Sequence, residues 1–372
     1  MKKLALVLGS LLVVGAAASA KEVMPAPVVV PEKVVEIVEK PVIVYRDREV
    51  TPAWRPNGSV DVHLRNKGEI EGHKATEKDW DGSNWNTELR AKTSVNFTEN
   101  QNLTVEYRDK FGLKRDGDLN KGDHHSRTEL KHTYKFGNLG ASKVNARVET
   151  KFRHGKNKFV EFKPVFDFSE YFFKNDYVKA TALELAPFYR YTWSYNDRHA
   201  NMYGLFANAE FELPYGVSFQ AEFDDGIYVY SKTNRTEDKP VDADLTAKYG
   251  NVEFTLKKEF TLYKQGKHNL GLELEGVYAT NWAWSRSDRG SIAAAGTERA
   301  NGKKERWGGY EAKFDPHFNY SFQATDFVKL YTRVGAEFVN RSVGESESST
   351  NRHGAKHWRW QPYVRVGARV TF

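Results

Sequence analysis

The sequence predicts an all-β protein: a transmembrane, antiparallel, up-and-down β-barrel of about fourteen strands, with short periplasmic turns and long surface loops. Three observations predict it. Apolar and polar residues alternate with period two over long runs, the pattern of a strand with two unlike faces. The links between those runs alternate between short and long, the asymmetry of an outer-membrane barrel. Finally, the 372 residues are 40% hydrophobic and 28% charged, and beyond residue 20 no apolar run reaches the roughly 20 residues that a membrane-crossing helix needs.

The chain opens with Lys2 and Lys3, an apolar stretch from Leu4 to Val14, and small residues ending in Ala18-Ser19-Ala20. That order predicts a secretory signal peptide over 1–20. With its two lysines gone, the chain is near charge balance and has no compositional support for nucleic-acid binding. Cysteine is absent, which excludes a disulfide scaffold, a thiol nucleophile and thiolate-held metals.

Residues 21–57 form a Pro/Val-rich periplasmic arm. They hold half of the twelve prolines, a linker composition. Glu32 to Lys40 reads as a short helix, ended by Pro41, with Val42 to Tyr45 extended. The arm is either a passive tether, a subunit contact or a plug for the barrel.

The barrel occupies 58–372. In Trp85 to Phe97 the odd positions are Trp, Thr, Leu, Ala, Thr, Val and Phe, and the even ones are polar. Trp358 to Phe372 repeats the pattern, with arginines between the apolar positions. Similar runs span Leu103 to Phe111, Thr128 to Phe136, Val144 to Phe152, Leu183 to Tyr195, Tyr203 to Leu213, Val217 to Phe223, Leu270 to Trp284, Tyr310 to Phe322 and Val328 to Phe338. Weaker ones span Gly58 to Lys67, Lys158 to Phe168 and Pro240 to Leu262. An open sheet is not viable in lipid, because each unpaired backbone group costs several kcal/mol. Four strand prolines, Pro164, Pro187, Pro316 and Pro362, each remove a ladder donor and are expected at bulges or rims. Phe97, Phe136, Phe168, Phe211, Phe219, Phe322, Phe327 and Phe372 lie beside the short turns. Tyr191, Trp193, Tyr195, Tyr228, Trp282, Trp284, Trp358 and Trp360 lie toward the long loops, so two interfacial girdles are expected. A soluble β-sandwich is the competing architecture, but its strands are commonly shorter and it needs no one-sided loop elaboration.

With the apolar face toward lipid, the polar face lines the interior. Basic pore-lining residues are Arg90, Lys92, Arg108, Arg127, Arg147, Arg153, Arg333, Arg359, Arg365 and Arg369. Acidic ones are Glu210, Glu212, Glu222, Asp242, Asp244, Glu273 and Glu275, on an arc roughly opposite. Glu88, Glu106, Glu129 and Glu149 interrupt the basic arc, so a transverse field competes with ordinary cross-strand pairing. The function expected is a water-filled channel for passive diffusion of ions and small hydrophilic solutes, with weak charge selectivity. The link Ser285 to Glu305 is a candidate constriction or a surface loop.

Three segments carry a family resemblance: Pro31 to Val50 with Pro56 to Val62; Ala324 to Tyr331 with Gly344 to Glu347; and Trp358-Arg359-Trp360-Gln361-Pro362 to Phe372. On these the chain resembles the FomA-type major outer-membrane porins of fusobacteria. The resemblance implies a general-diffusion porin of the bacterial outer membrane, a homotrimer, and a secondary adhesive role with surface-loop partners. No catalytic residue is carried over. Phe372 is read as a C-terminal assembly signal.

No cofactor, metal or catalytic group is assigned. His124 and His125 with Asp123, and His353 with His357, sit in polar links where histidines are usually solvated, and neighbouring strand residues face opposite ways. Ser126 beside His125 and Ser287 near Asp288 offer sequence adjacency without triad geometry. The alternative function is a surface adhesin or specific ligand-binding barrel whose long loops hold the partner.

Overall fold

The structure, a computed structural model, describes residues 33–38, 42–47, 54–71, 86–112, 125–155, 158–193, 199–230, 234–236, 239–241, 246–286, 291–292, 298–299, 305–342 and 358–372. The leader assigned to 1–20 lies outside them.

Fourteen strands close into one barrel. They are β1 (Asn57–Lys67), β2 (Asn86–Thr98), β3 (Gln101–Gly112), β4 (His125–Asn138), β5 (Asn145–His154), β6 (Lys158–Asp167) and β7 (Lys179–Trp193). The second half comprises β8 (His199–Leu213), β9 (Val217–Tyr230), β10 (Thr246–Gln265), β11 (His268–Arg286), β12 (Glu305–Gln323), β13 (Val328–Ser342) and β14 (Arg359–Thr371). Ring neighbours are sequence neighbours throughout. β14 completes the ring on β1, from Tyr363 opposite Lys67 to Thr371 opposite Ser59. With strands about 4.8 Å apart and tilted about 40°, a ring of this size is about 28 Å across between backbones.

The period-two sequence produces two unlike walls. Outward positions carry Phe162, Phe318 and Val366, all about half exposed. Inward positions carry Glu161, Asp315 and His317, which their neighbours bury. At the short-turn end Phe97, Phe136, Phe327 and Phe372 are exposed while Phe168, Phe211, Phe219 and Phe322 are half-buried, and Tyr191, Trp358 and Trp360 are exposed toward the other end. The side chains of Tyr195, Trp282 and Trp284 lie outside the described residues.

Three expectations are corrected. The arm segment read as a short helix instead pairs Lys33–Val38 with Val42–Asp47 as an antiparallel hairpin; its run of Val and Ile favours extended backbone. β10 starts at Thr246, while Lys239–Val241 pairs with Asn234–Thr236 in a separate small hairpin. Of the four prolines, Pro362 lies near a rim as expected, just beyond the end of the β14–β1 ladder, while Pro164, Pro187 and Pro316 sit where a ladder lapses without a shift of register. Pairing between β6 and β7 lapses from Phe162 opposite Tyr189 to Phe166 opposite Leu185, the interval that holds Pro164 and Pro187. Between β12 and β13 it lapses around Pro316. Pro164, Pro187 and Pro316 thus sit inside strands, and the ladder on one side skips the missing donor locally. Pro362 remains paired with Ala336 and accepts a hydrogen bond from the Gly68 amide at 2.9 Å.

Candidate functional site

The inner wall holds most of the charge, and alternation fixes which residues reach it. On β13, Arg333 and Glu337 share the inward side with Tyr331 and Gly335, while Leu330, Val334 and Phe338 face out. On β14, Arg359, Arg365 and Arg369 share it with Tyr363 and Gly367. The wall is knitted by side chains that lean over a neighbouring strand. Tyr331 on β13 crosses Gly367 on β14 and donates to Asp61 on β1 at 2.7 Å. A Cβ on Gly367 would meet the Tyr331 hydroxyl at 2.6 Å and His63 Cβ at 2.8 Å, so only glycine admits this crossing. Likewise Tyr363 on β14 passes β13 and donates to Asp315 on β12 at 2.9 Å.

The basic arc is a ladder of shared carboxylates. Glu106 serves three arginines: Arg90 and Arg108 at 2.5 Å each and Arg127 at 3.3 Å. Those arginines are directly opposite one another on β2, β3 and β4. Glu129 takes Arg153 at 2.8 Å and Lys151 at 3.9 Å. Glu149 takes Arg147 at 2.9 Å and Lys163 at 3.3 Å, and Glu184 takes Arg147 at 2.7 Å. Glu337 serves both Lys67 and Arg65. Lys92 is exposed beside this ladder, opposite Glu106. Cross-strand pairing is therefore real; Glu106 and Glu129 leave cation in excess, while Arg147 and Lys163 balance Glu149 and Glu184.

A second row lies at the barrel seam. Arg333, Arg365 and Arg65 are directly opposite one another on β13, β14 and β1. Arg333 donates to Asn319 at 2.8 Å and lies 3.7 Å from Glu273, and Arg65 lies 3.5 Å from Glu337. Among the described residues Arg365 has no ion pair within 4.0 Å, and the Nε atoms of Arg65 and Arg365 are buried without a hydrogen-bond partner. Arg369 is exposed, opposite Asp61, and Arg359 is buried.

The acidic arc is narrower than the sequence suggested. Glu273 and Glu275 on β11 are absorbed into cation pairs: Glu273 with Lys257 at 2.8 Å and buried His317 at 3.5 Å, Glu275 with Lys313 at 3.2 Å. Glu212 pairs with Lys179 at 2.8 Å beside a short turn. Asp242 and Asp244 lie outside the described residues. What remains is a group on β8 to β10. Glu222 stands directly opposite Glu253, and Gln220 donates to Glu222 at 2.7 Å and reaches Glu210 at 3.4 Å. Among the described residues these three carboxylates have no ion pair. β9, at the centre of this group, lies seven strands round the ring from β2, half the circumference. Glu222 and Arg333 are each five residues from the start of their strands at the short-turn end, about 17 Å of strand.

Arg65, Glu253 and Glu337 were not singled out from the sequence, yet period two marks two of them. Arg65 alternates with Leu64 and Asn66, and Glu337 keeps the parity of Arg333.

The sequence matches no family model and no curated protein. Solved structures similar to it include an anion-selective porin from Comamonas acidovorans, at 10% identity and TM-score 0.33, covering 86% of this chain and 99% of that one. The outer membrane channel DcaP of Acinetobacter baumannii is similar at 12% identity and TM-score 0.33, covering 86% and 96%. In-vitro folded OmpT of Vibrio cholerae, in its trimer form, is similar at 11% identity and TM-score 0.31, covering 86% and 98%. The barrel assignment rests on the closed ring itself.

Proposed function

We propose that the protein is an outer-membrane diffusion channel whose barrel spans the lipid and passes ions and small hydrophilic solutes between two oppositely charged walls. The observation that carries this reading is the division of faces: a closed fourteen-strand ring with exposed Phe, Leu and Val on most of its outer wall and most of its charge on the inner one. A soluble barrel does not need an apolar exterior. A ring about 28 Å across leaves room beyond its inward side chains, unlike an eight-stranded barrel, which side chains fill. Cation excess on β13 to β4 and unpaired carboxylates on β8 to β10 turn dipolar solutes and offer separate paths to anions and cations. No side chain here is asked to do covalent chemistry.

Export by the leader at 1–20 and assembly as a homotrimer belong to the same proposal. The outward face of β2 to β5 supports a protein neighbour rather than lipid there. It mixes Thr93, Asp109, Thr128, His132 and Thr150 among the exposed Phe97, Leu130, Phe136 and Phe152. Polar groups in hydrocarbon are costly, and a subunit contact relieves them.

Swelling of proteoliposomes in sugars of increasing size tests the channel. Size-dependent uptake is expected; uptake no faster than in empty vesicles overturns it.

A further inference from the structure

We propose that the row Arg333, Arg365 and Arg65 on the inner wall is a binding site for a divalent oxyanion of the phosphate class. The inference rests on the channel reading and names a solute for it.

One feature sets this row apart from the rest of the basic wall: its middle arginine has no carboxylate. Its members are directly opposite on three adjacent strands, and like charges placed so repel one another. The row Arg90, Arg108 and Arg127 has the same register but closes on Glu106 at 2.5 to 3.3 Å. No carboxylate takes that place at the seam. The acids nearest by are shared or engaged: Glu337 lies between Lys67 and Arg65, Glu273 between Lys257 and Arg333, and Asp61 and Asp315 accept from Tyr331 and Tyr363. Arg365, in the middle, has no ion pair among the described residues, and two Nε donors of the row have neither a partner nor contact with water, against one, on Arg90, in the other row. A buried donor without an acceptor is unfavourable. The wall therefore supplies a group of guanidinium donors and gives the middle one no carboxylate.

Oxyanion chemistry fits what is missing. Guanidinium is planar and always charged, and its N–H groups meet two oxygens of one anion side by side. A doubly charged oxyanion set over Arg365 balances charge that Glu337 and Glu273 leave over, and a small turn of each guanidinium brings the idle Nε groups to its oxygens. Chloride, with no second oxygen, lacks that fit. Arg65 and Arg333 keep 18% and 24% of their side-chain surface exposed, so the row is reachable from the lumen.

The test is chloride conductance across planar bilayers titrated with inorganic phosphate, on the full protein, R365Q, R333Q and R365K. The expected result is a saturable fall in conductance, with the half-saturating phosphate concentration raised about tenfold in R365Q and R333Q. R365K is expected to lose most of the phosphate effect as well, because it keeps charge but loses the fork. A fall that never saturates, or saturation unchanged in both glutamine variants, overturns the site and leaves the channel standing. If no current appears, the channel reading falls, and calorimetric titration of phosphate into detergent-held protein decides the site alone. Heat of binding lost in R365Q supports it, and no heat overturns it. Without phosphate, R365Q is expected to be at least as resistant to urea as the unaltered protein, since it removes a repelled charge.

Discussion

Glu106→Gln is the most informative single change in the basic wall, because one carboxylate there holds three arginines. The arginines are each about a third exposed, so each pair is discounted to the range of solvated pairs, about 0.2–1 kcal/mol. Three such pairs sharing one acceptor do not add fully and give about 1–1.5 kcal/mol. Removing the anion also leaves the cross-strand neighbours Arg90 with Arg108 and Arg108 with Arg127 facing one another. At about 6 Å in water each such contact costs about 0.7 kcal/mol, part of which side-chain movement relieves. The expected loss is about 2 kcal/mol, read as a shift in urea unfolding of the protein folded into lipid vesicles. Zero-current potentials should move toward anions at the same time, since local charge rises by one. Glu106→Asp, which keeps the charge, should leave the ion preference unchanged. A loss below about 0.5 kcal/mol with no change in ion preference would falsify the shared-carboxylate account.

Other consequences follow from the two faces. Val366→Arg places a cation on the outward belt and should cost about 2–4 kcal/mol if that face meets lipid; an unfolding midpoint unchanged in vesicles contradicts a lipid contact there. Gly335→Ala brings a methyl 2.7 Å from the Pro316 carbonyl and onto His317, an overpacking that should lower unfolding stability by about 1–3 kcal/mol. Glu222→Gln and Glu253→Gln each relieve a like-charge pair, so stability should hold or rise by a few tenths of a kcal/mol while cation preference falls. Neutralising Arg359, Arg365 and Arg369 together should move the reversal potential toward cations, and no movement rejects their place on the conducting wall.

Strand number, order and facing were legible because apolar side chains outside and charge inside write the pattern at every second residue. Arg333, Arg365 and Arg369 could be placed inward from Leu330, Val334, Val364 and Val366 alone. Partnership was not legible, since register between strands is set by turns and pairing. That Glu106 meets three arginines follows from Arg90 standing opposite Arg108 and Arg108 opposite Arg127. The same blindness put Glu273 in the acidic arc, although Lys257 and His317 reach it from β10 and β12. The prolines misled for a related reason. A proline is unwelcome in an unbroken ladder, but Pro164 and Pro187 lie in one interval where the ladder is already interrupted. In the arm, Glu32 to Lys40 has charges at helical spacing, yet β-branched residues and a partner strand decide for a hairpin.

The central claim, an open channel between unlike charged walls, is tested most directly by single-channel recording of the refolded full-length protein in planar bilayers under a salt gradient. Stepwise ohmic conductance is predicted, with a zero-current potential that moves toward anions in Glu222→Gln and toward cations in Arg365→Gln. Bilayers that stay silent while the protein is shown by its resistance to protease to be inserted would contradict it.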